Sequence, residues 1–239
     1  MSKLRAPTIE PEGATTNLDL GGSGDSVVFN SEAIKANTFK DAGGNTLWTS
    51  DGSGTLSSIN SSLAGGGMTV LNTYTVPSNV ATVEITANID ATYKQYWVVG
   101  INIHPATTGT SLGFNIGASY NLTYRGTGWR SNHADSGVGT YEFRGEPSEW
   151  DGTTIQDINS EFGAEAGKPV NFILRMFNPS EAVCQKAFTW ESSSVGETIG
   201  CNYMAGQSRF QSTAAYTQIR FKMTGGDITH GTFKLIGIG

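Results

Sequence analysis

Charged residues are scarce in this sequence, and so are the features that mark binding to nucleic acids or membranes. Asp, Glu, Lys and Arg make up 15% of the 239 residues, against roughly 25% in an ordinary globular protein. The net charge is −6 and no cluster of Lys and Arg stands out, so the positive surface that phosphate backbones require is lacking. No apolar run approaches the ~20 residues of a membrane-spanning helix. We therefore expect neither nucleic-acid binding nor insertion into a membrane.

Cysteine is almost absent, and the N-terminal residues M-S-K-L-R-A-P lack the apolar stretch of a signal peptide. The sequence thus predicts a protein that does not use the general secretory route. The two cysteines, Cys184 and Cys201, have neither C-x-x-C spacing nor a His at zinc-ligand spacing. One interpretation is two small buried side chains, and the alternative is a disulfide. The disulfide requires that 182–189 and 196–205 pair as a hairpin around 192–194, which would place the cysteines opposite each other.

Catalytic motifs are also missing. The three histidines, His104, His133 and His230, are isolated, and none has a partner at the spacing of a metal site. No G-x-S-x-G motif is present, which disfavours an esterase. We therefore predict a protein that is not an enzyme and that uses no cofactor or metal.

Glycine is abundant, with 31 residues, and the chain falls into two unlike parts. Residues 1–67 hold only three aromatic residues, too few for a core of their own. The G-G-N sequence at 43–45 predicts a hairpin, and 57–63 are predicted as a short helix. We expect an extended anchoring arm with short hairpins that buries its large apolar residues on a partner. The candidate anchor residues are Phe29, Phe39, Trp48 and Leu63.

The second part, residues 68–239, alternates between apolar and polar residues in segment after segment. Every second residue is apolar from Val170 to Met176, and Trp97, Val99, Ile101 and Ile103 suggest the same pattern. A period of two indicates half-buried antiparallel strands. With about ten such strands and no long amphipathic helix, the sequence predicts an all-β antiparallel sandwich of the jelly-roll type.

The strand pattern weakens between Arg125 and Lys168, which predicts a long loop, and long loops often carry function. Trp rings stack on sugars, and Asn or Asp side chains bind hydroxyl groups. The loop is therefore a candidate contact for a glycan or receptor, with four candidate residues: Trp129, Asn132, Asp135 and Trp150. A glycosidase with two carboxylates is an alternative, drawn from Glu142, Glu146, Glu149 and Asp151. The aromatic residues could instead pack within the loop or against another subunit.

One segment of the arm is the run N-T-F-K-D-A-G-G-N-T-L-W-T-S-D-G-S-G-T-L-S-S-I-N at 37–60. It is similar to a segment that recurs in structural proteins of tailed bacteriophages, cyanophages among them. The run I-R-F-K-M-T-G-G-D-I-T-H-G-T-F-K-L-I-G-I at 219–238 resembles the closing hairpin of phage fibre domains, with Ile236 in place of the usual aromatic residue. The segment 93–105, an aromatic-rich strand that ends in I-N-I-H-P, is also similar to segments of these proteins.

The resemblance implies a virion protein that assembles in the host bacterial cytoplasm, forms a homotrimer and contacts other virion proteins. As a short tail fibre or receptor-binding protein, it would dock through the arm and touch a host surface glycan with the sandwich. As a capsid decoration protein, it would clamp capsomers with the arm. A carbohydrate-binding lectin outside any virion is the remaining alternative.

Overall fold

The computed structural model describes residues 38–40, 44–50, 56–59, 67–134, 136–144, 151–152, 154–164, 167–196 and 200–239. The chain divides into two compact units, Met1–Leu63 and Ala64–Gly239. All regular secondary structure in the described residues is β-strand, and the strands pair antiparallel. The predicted all-β class is therefore confirmed. Among the candidate site and anchor residues, Phe29, Leu63, Asp135 and Trp150 lie outside the described residues.

The described residues of the first unit form a three-stranded sheet in the order β1-β2-β3. Its strands are β1 (Thr38–Lys40), β2 (Thr46–Ser50) and β3 (Leu56–Ile59). The predicted hairpin at 43–45 is confirmed, since β1 and β2 pair antiparallel. Phe39 lies opposite Trp48 in this pair and stacks on it, with ring centroids 4.4 Å apart. The predicted helix at 57–63 is wrong where the structure describes it, because Leu56–Ile59 extends and pairs with β2.

The described residues of the second unit form two sheets. The larger sheet has nine strands: β4 (Met68–Thr75), β6 (Gln95–Pro105), β8 (Tyr124–His133), β9 (Gly139–Arg144), β10 (Asp151–Gly152), β12 (Val170–Phe177), β13 (Lys186–Ser194), β14 (Cys201–Phe210) and β16 (Ile228–Ile238). Their order is β10-β8-β14-β13-β12-β6-β16-β4, and β9 also pairs with β8. The smaller sheet has the order β11-β7-β15-β5, from β5 (Val83–Ile85), β7 (Thr110–Ile116), β11 (Gln156–Phe162) and β15 (Ile219–Met223).

The two sheets enclose one hydrophobic core. Phe114 of the smaller sheet lies at its centre, with ring centroids 5.1 Å from Phe188 and 5.7 Å from Phe210 of the larger sheet. The predicted inward face of β12 is confirmed, since Val170, Phe172, Leu174 and Met176 are all buried. Alternation places the intervening residues of the larger sheet on its other face, which we call the outer face.

Polar side chains also connect the sheets at the end of the sandwich near β11. Asn159 of β11 donates to the Ser192 hydroxyl at 2.9 Å and accepts from Ser194 at 3.1 Å. Arg130, which is buried in β8, donates to Ser160 at 3.1 Å and forms an ion pair with Glu142 at 2.8 Å. These contacts satisfy polar groups that would otherwise be costly to bury.

Strand β6 differs from the prediction in which residues face the core. Tyr96, Val98 and Gly100 are buried, whereas Trp97 and Val99 lie on the outer face. The prediction for this strand was therefore reversed over most of its length. The run is apolar on both faces, so its alternation does not determine which face is inward.

The C-terminal segment also differs from the hairpin that the resemblance implied. Strand β15 pairs with β5 and β7 of the smaller sheet, and β16 pairs with β4 and β6 of the larger sheet. The glycine turn at 225–226 therefore carries the chain from one sheet to the other. The two strands do not pair with each other.

The proposed disulfide is wrong, because both Cys184 and Cys201 are free and exposed. The same finding excludes the alternative of two buried thiols. Strands β13 and β14 do form a hairpin, but Ser194 pairs with Asn202 and Lys186 pairs with Phe210. The turn therefore follows residue 194. Cys201 lies at the turn end of the hairpin and Cys184 lies beyond its far end. The paired segment between them, Lys186–Ser194, alone spans about 26 Å.

Candidate binding surface

The stretch from Arg125 to Lys168 is not one long loop. It contains most of β8 and all of β9, β10 and β11, so the predicted loop is wrong. The alternation is hard to recognise in β8 because its inward positions include Gly128 and the charged Arg130. The candidate residues in this stretch are therefore held by a sheet, which fixes side chains more firmly than a loop does.

Two of the predicted contact residues, Trp129 and Asn132, lie on opposite faces of β8. The Trp129 side chain is on the outer face and 44% exposed. Asn132 is on the same face as the buried Arg130, and its side-chain oxygen accepts a hydrogen bond from the Thr140 hydroxyl. The structure therefore exposes Trp129 on the outer face and does not place Asn132 beside it.

Trp129 belongs to a cluster of aromatic residues on the outer face, which we call the aromatic platform: Trp129, Tyr141, Phe143 and Tyr203. Phe143 of β9 lies opposite Trp129 in the sheet, and the Tyr203 ring of β14 lies 5.2 Å from the Trp129 ring. Tyr141 is 84% exposed and Phe143 is 76% exposed. Large apolar side chains that cluster on a surface in this way mark an interaction site.

A charged pair continues this surface from Tyr203 towards β6. The Tyr203 hydroxyl donates to the Glu191 carboxylate at 3.2 Å, and Arg175 forms an ion pair with the other carboxylate oxygen. The Arg175 guanidinium lies 5.0 Å from the centre of the Trp97 ring, a cation–π contact. The hydrogen bond from Arg175 holds the pKa of Glu191 below its ordinary value. The carboxylate is therefore charged at neutral pH, and burial raises the pKa of Tyr203 so that its phenol stays protonated.

Two clefts open on the outer face, one on each side of the line from Glu191 to Trp129. The central cleft has a volume of about 370 Å³, with an apolar floor of Val99, Ile101 and Ile173 and polar groups from Asn171, Glu191, Ser193 and Tyr203. The arginine cleft has a volume of about 360 Å³, and its side chains include Arg125, Thr127, Thr189, Gln207 and Arg209. Both volumes are in the range of small-ligand sites, and a sugar ring would fit in either.

The carboxylates of the alternative glycosidase interpretation are not brought together by the described residues. Glu142 faces the inner side of β9 and pairs with Arg130. Glu146 and Glu149 lie outside the described residues, and for Asp151 the structure gives only its backbone position in β10. In the described part of the chain, no three His, Cys, Asp or Glu side chains gather as they would around a metal ion. No helix among these residues is long and apolar enough to span a membrane.

The sequence prediction missed several residues of this surface: Tyr141, Phe143, Arg175, Glu191 and Tyr203. The alternation of G-T-Y-E-F-R at 139–144 was a usable signal for Tyr141 and Phe143, because it places both rings on one side of a short strand. The meeting of Glu191, Tyr203 and Trp129 depends on strand order, for which a single sequence carries no signal.

Comparison of the chain with protein-family models, with curated proteins and with solved structures finds no match.

Proposed function

We propose that this chain is a structural component of a tailed-phage particle, a short tail fibre or receptor-binding protein that contacts a glycan on the host surface. The N-terminal arm, residues 1–67, attaches the chain to the particle, and the sandwich presents its outer face to the glycan. The phage assignment is supported by the resemblance of segments 37–60 and 93–105. The role in attachment is supported above all by the aromatic platform.

The aromatic platform has the chemistry that recognises sugars. One face of a pyranose ring presents C–H groups, which pack on an aromatic ring, while its hydroxyl groups remain at the edge to form hydrogen bonds. Tyr141, Phe143 and Trp129 offer exposed rings on two neighbouring strands. Glu191, Asn171 and Ser193 of the central cleft supply hydrogen-bonding groups beside Tyr203. Aromatic side chains suit such contacts because they provide a large area with little loss of conformational entropy.

A binding experiment tests the role of the platform. We expect that Trp129→Ala lowers the affinity of the full-length protein for its glycan about tenfold or more, as for a central aromatic contact in an interface. Affinity can be measured by isothermal titration with glycans selected on an array. Val70→Ala is the control, because Val70 is an exposed apolar residue of β4, at the far side of the sheet from the platform and from both clefts. Equal losses in both variants, or binding that Trp129→Ala leaves intact, would contradict the proposal.

Deletion of residues 1–67 tests the role of the arm. In a phage that encodes this chain, we expect the shortened protein to fold as a sandwich but to be missing from purified particles. Mass spectrometry of particles gives the incorporation, and circular dichroism of the purified protein gives the fold. Incorporation at the wild-type level would refute anchoring by the arm.

The copy number of the protein in wild-type particles distinguishes a tail fibre from a capsid decoration protein. A decoration protein covers the capsid lattice and is present in many copies, whereas a fibre is present in few copies.

A further inference from the structure

A β-bulge in β6 shapes the central cleft. Between the register pairs at residues 170 and 172 of β12, β6 has one residue more than its partner, so Ile101 and Asn102 both lie opposite Asn171. Asn102 adopts a left-handed backbone conformation, with φ 52°, which Asn tolerates better than most residues. Such bulges redirect side chains and are frequent beside binding and active sites. Here Ile101 is 37% exposed and forms part of the cleft floor.

The bulge also fixes the orientation of the Asn171 side chain. The backbone N–H of Asn102 donates to the side-chain oxygen of Asn171 at 2.9 Å instead of to a neighbouring strand. Because a backbone N–H can only donate, the amide oxygen must face Asn102, and the NH2 group faces away from it. Asn171 lines the central cleft, so it offers a ligand there the N–H donors of its amide.

Glu191 provides matching acceptors on the neighbouring strand. It lies opposite Ile173, two residues along β12 from Asn171, so the Cα atoms of Asn171 and Glu191 are diagonal neighbours about 7–8 Å apart. The two carboxylate oxygens accept hydrogen bonds from Arg175 and Tyr203, and each oxygen has a further lone pair for a ligand. Among the described residues that line the cleft, Glu191 is the one charged side chain.

Tyr203 belongs to both the central cleft and the aromatic platform. It lines the cleft, and its ring lies 5.2 Å from the Trp129 ring. A glycan chain stacked on the platform therefore reaches the cleft with its next sugar residue.

We propose that the central cleft binds a neutral sugar residue of the glycan, with Glu191 and Asn171 hydrogen-bonded to its hydroxyl groups. A hydroxyl group both donates and accepts, so it can donate to the carboxylate and accept from the amide NH2 group. An anionic sugar would bring a second negative charge beside Glu191, in a protein of net charge −6, and is therefore disfavoured. This inference rests on the proposed function, since it assigns the class of glycan that the protein receives.

Pairs of glycans that differ in one anionic group test the class of sugar. On a glycan array, each neutral oligosaccharide would be compared with its sulfated or uronic-acid counterpart. Polygalacturonate and the same polymer after carboxyl reduction give a further pair for isothermal titration with the full-length protein. We expect the neutral member to bind at least about tenfold more tightly, because like charges in contact are costly. Raising NaCl should narrow the difference, because salt screens the repulsion.

Exchange of a carboxylate for an amide locates the discrimination. Glu191→Gln keeps the size of the side chain and removes its charge. We expect its affinity for neutral glycans to fall about tenfold, because hydrogen bonds to charged groups are the stronger ones. Most of the discrimination against acidic glycans should disappear as well. Asp227→Asn removes an equal charge between β15 and β16, outside the cleft lining, and should leave both quantities unchanged.

The opposite exchange tests the donor. Asn171→Asp still accepts the hydrogen bond from the Asn102 N–H and replaces the NH2 group by an acceptor. We expect it to lower the affinity for neutral glycans about tenfold. Asn72→Asp makes the same change in β4, at the other edge of the larger sheet, and should bind neutral glycans like the wild type. Circular dichroism of all variants checks that the fold is kept.

The possible failures are distinct. Equal or tighter binding of the acidic members by the wild-type protein would overturn the neutral-sugar inference and leave the proposed function standing. Discrimination that survives in Glu191→Gln, or that Asp227→Asn loses equally, would overturn the assignment to this cleft. Wild-type affinity in Asn171→Asp would do the same. Absence of binding to any glycan would reject the proposed function together with the inference.

Discussion

The Gly100→Ala variant is expected to be destabilised by about 3 kcal/mol or more, a large effect for the addition of one methyl group. Gly100 lies in β6 with its missing side chain directed into the core. A Cβ at this position would lie 2.0 Å from Cε1 and 2.4 Å from Cδ1 of the Phe172 ring. The ring cannot move aside freely, because it also packs on Phe221 and Phe233, at centroid distances of 5.4 and 5.9 Å. Urea unfolding followed by tryptophan fluorescence measures the change.

Two further variants show whether the Phe172 ring causes the loss. Gly167→Ala is the matched control, because no atom lies within 4 Å of the added Cβ, and it should stay within about 0.5 kcal/mol of the wild type. In the double variant Gly100→Ala, Phe172→Leu, the smaller leucine side chain should make room for the added methyl group. The double variant should therefore lose less stability than the sum of the losses in the two single variants. If the two changes were simply additive, the ring would not be the obstacle.

The Lys186→Ala variant is expected to lose about 3–5 kcal/mol of the free energy of unfolding. Lys186 is 1% exposed at the start of β13. Its amine donates to the carbonyl oxygens of Glu181, Cys184 and Thr213, the last two at 2.6 and 3.5 Å. The side chain thus joins the loop before β13 to the segment after β14. Alanine removes the buried methylene groups and leaves the three carbonyl groups without this donor.

Comparison with methionine separates the two contributions of Lys186. Lys186→Met keeps an unbranched chain of similar length and lacks the amine, so it should lose about 1–3 kcal/mol. Lys94→Ala is the control, since Lys94 is exposed and should change stability by less than about 0.5 kcal/mol. Guanidinium chloride unfolding of all variants at one pH provides the values. A Lys186→Ala variant as stable as the control would show that the amine is not held by the loops.

The sequence predicts the strands whose two faces differ in polarity. In β15 the apolar residues fall on one side only, so burial of Phe221 follows from the period of two. In β12 one side is apolar at every position and the other side is mixed, so burial of Leu174 also follows. In β6 both sides are apolar, and the inward side is decided by the fit of Gly100 against Phe172, a residue of another strand. A single sequence carries no record of that contact.

The candidate surface was predictable only in part, for a related reason. Trp129 could be recognised as an exposed aromatic residue in a polar stretch. Strand β8 was mistaken for a loop because its inward Arg130 is charged, and the groups that satisfy it, Ser160 and Glu142, belong to two other strands. Glu191 and Tyr203 become part of the surface only through the pairing of β13 with β14. Local patterns thus find individual strands and rings, whereas strand order brings the rings together.

The position of the last strand has a consequence for synthesis of the chain. Strand β16 lies between β6 and β4, and Ile238 pairs with Met68 at one end of the second unit. A chain that emerges from the ribosome N-terminus first therefore lacks the partner that β4 has in this sheet until residues 228–238 have been made. Such non-local pairing slows folding and leaves apolar strands exposed in the meantime. Among the described strands, β16 is the partner of β4 in the larger sheet. A product truncated before Ile228 would therefore leave β4 without this partner.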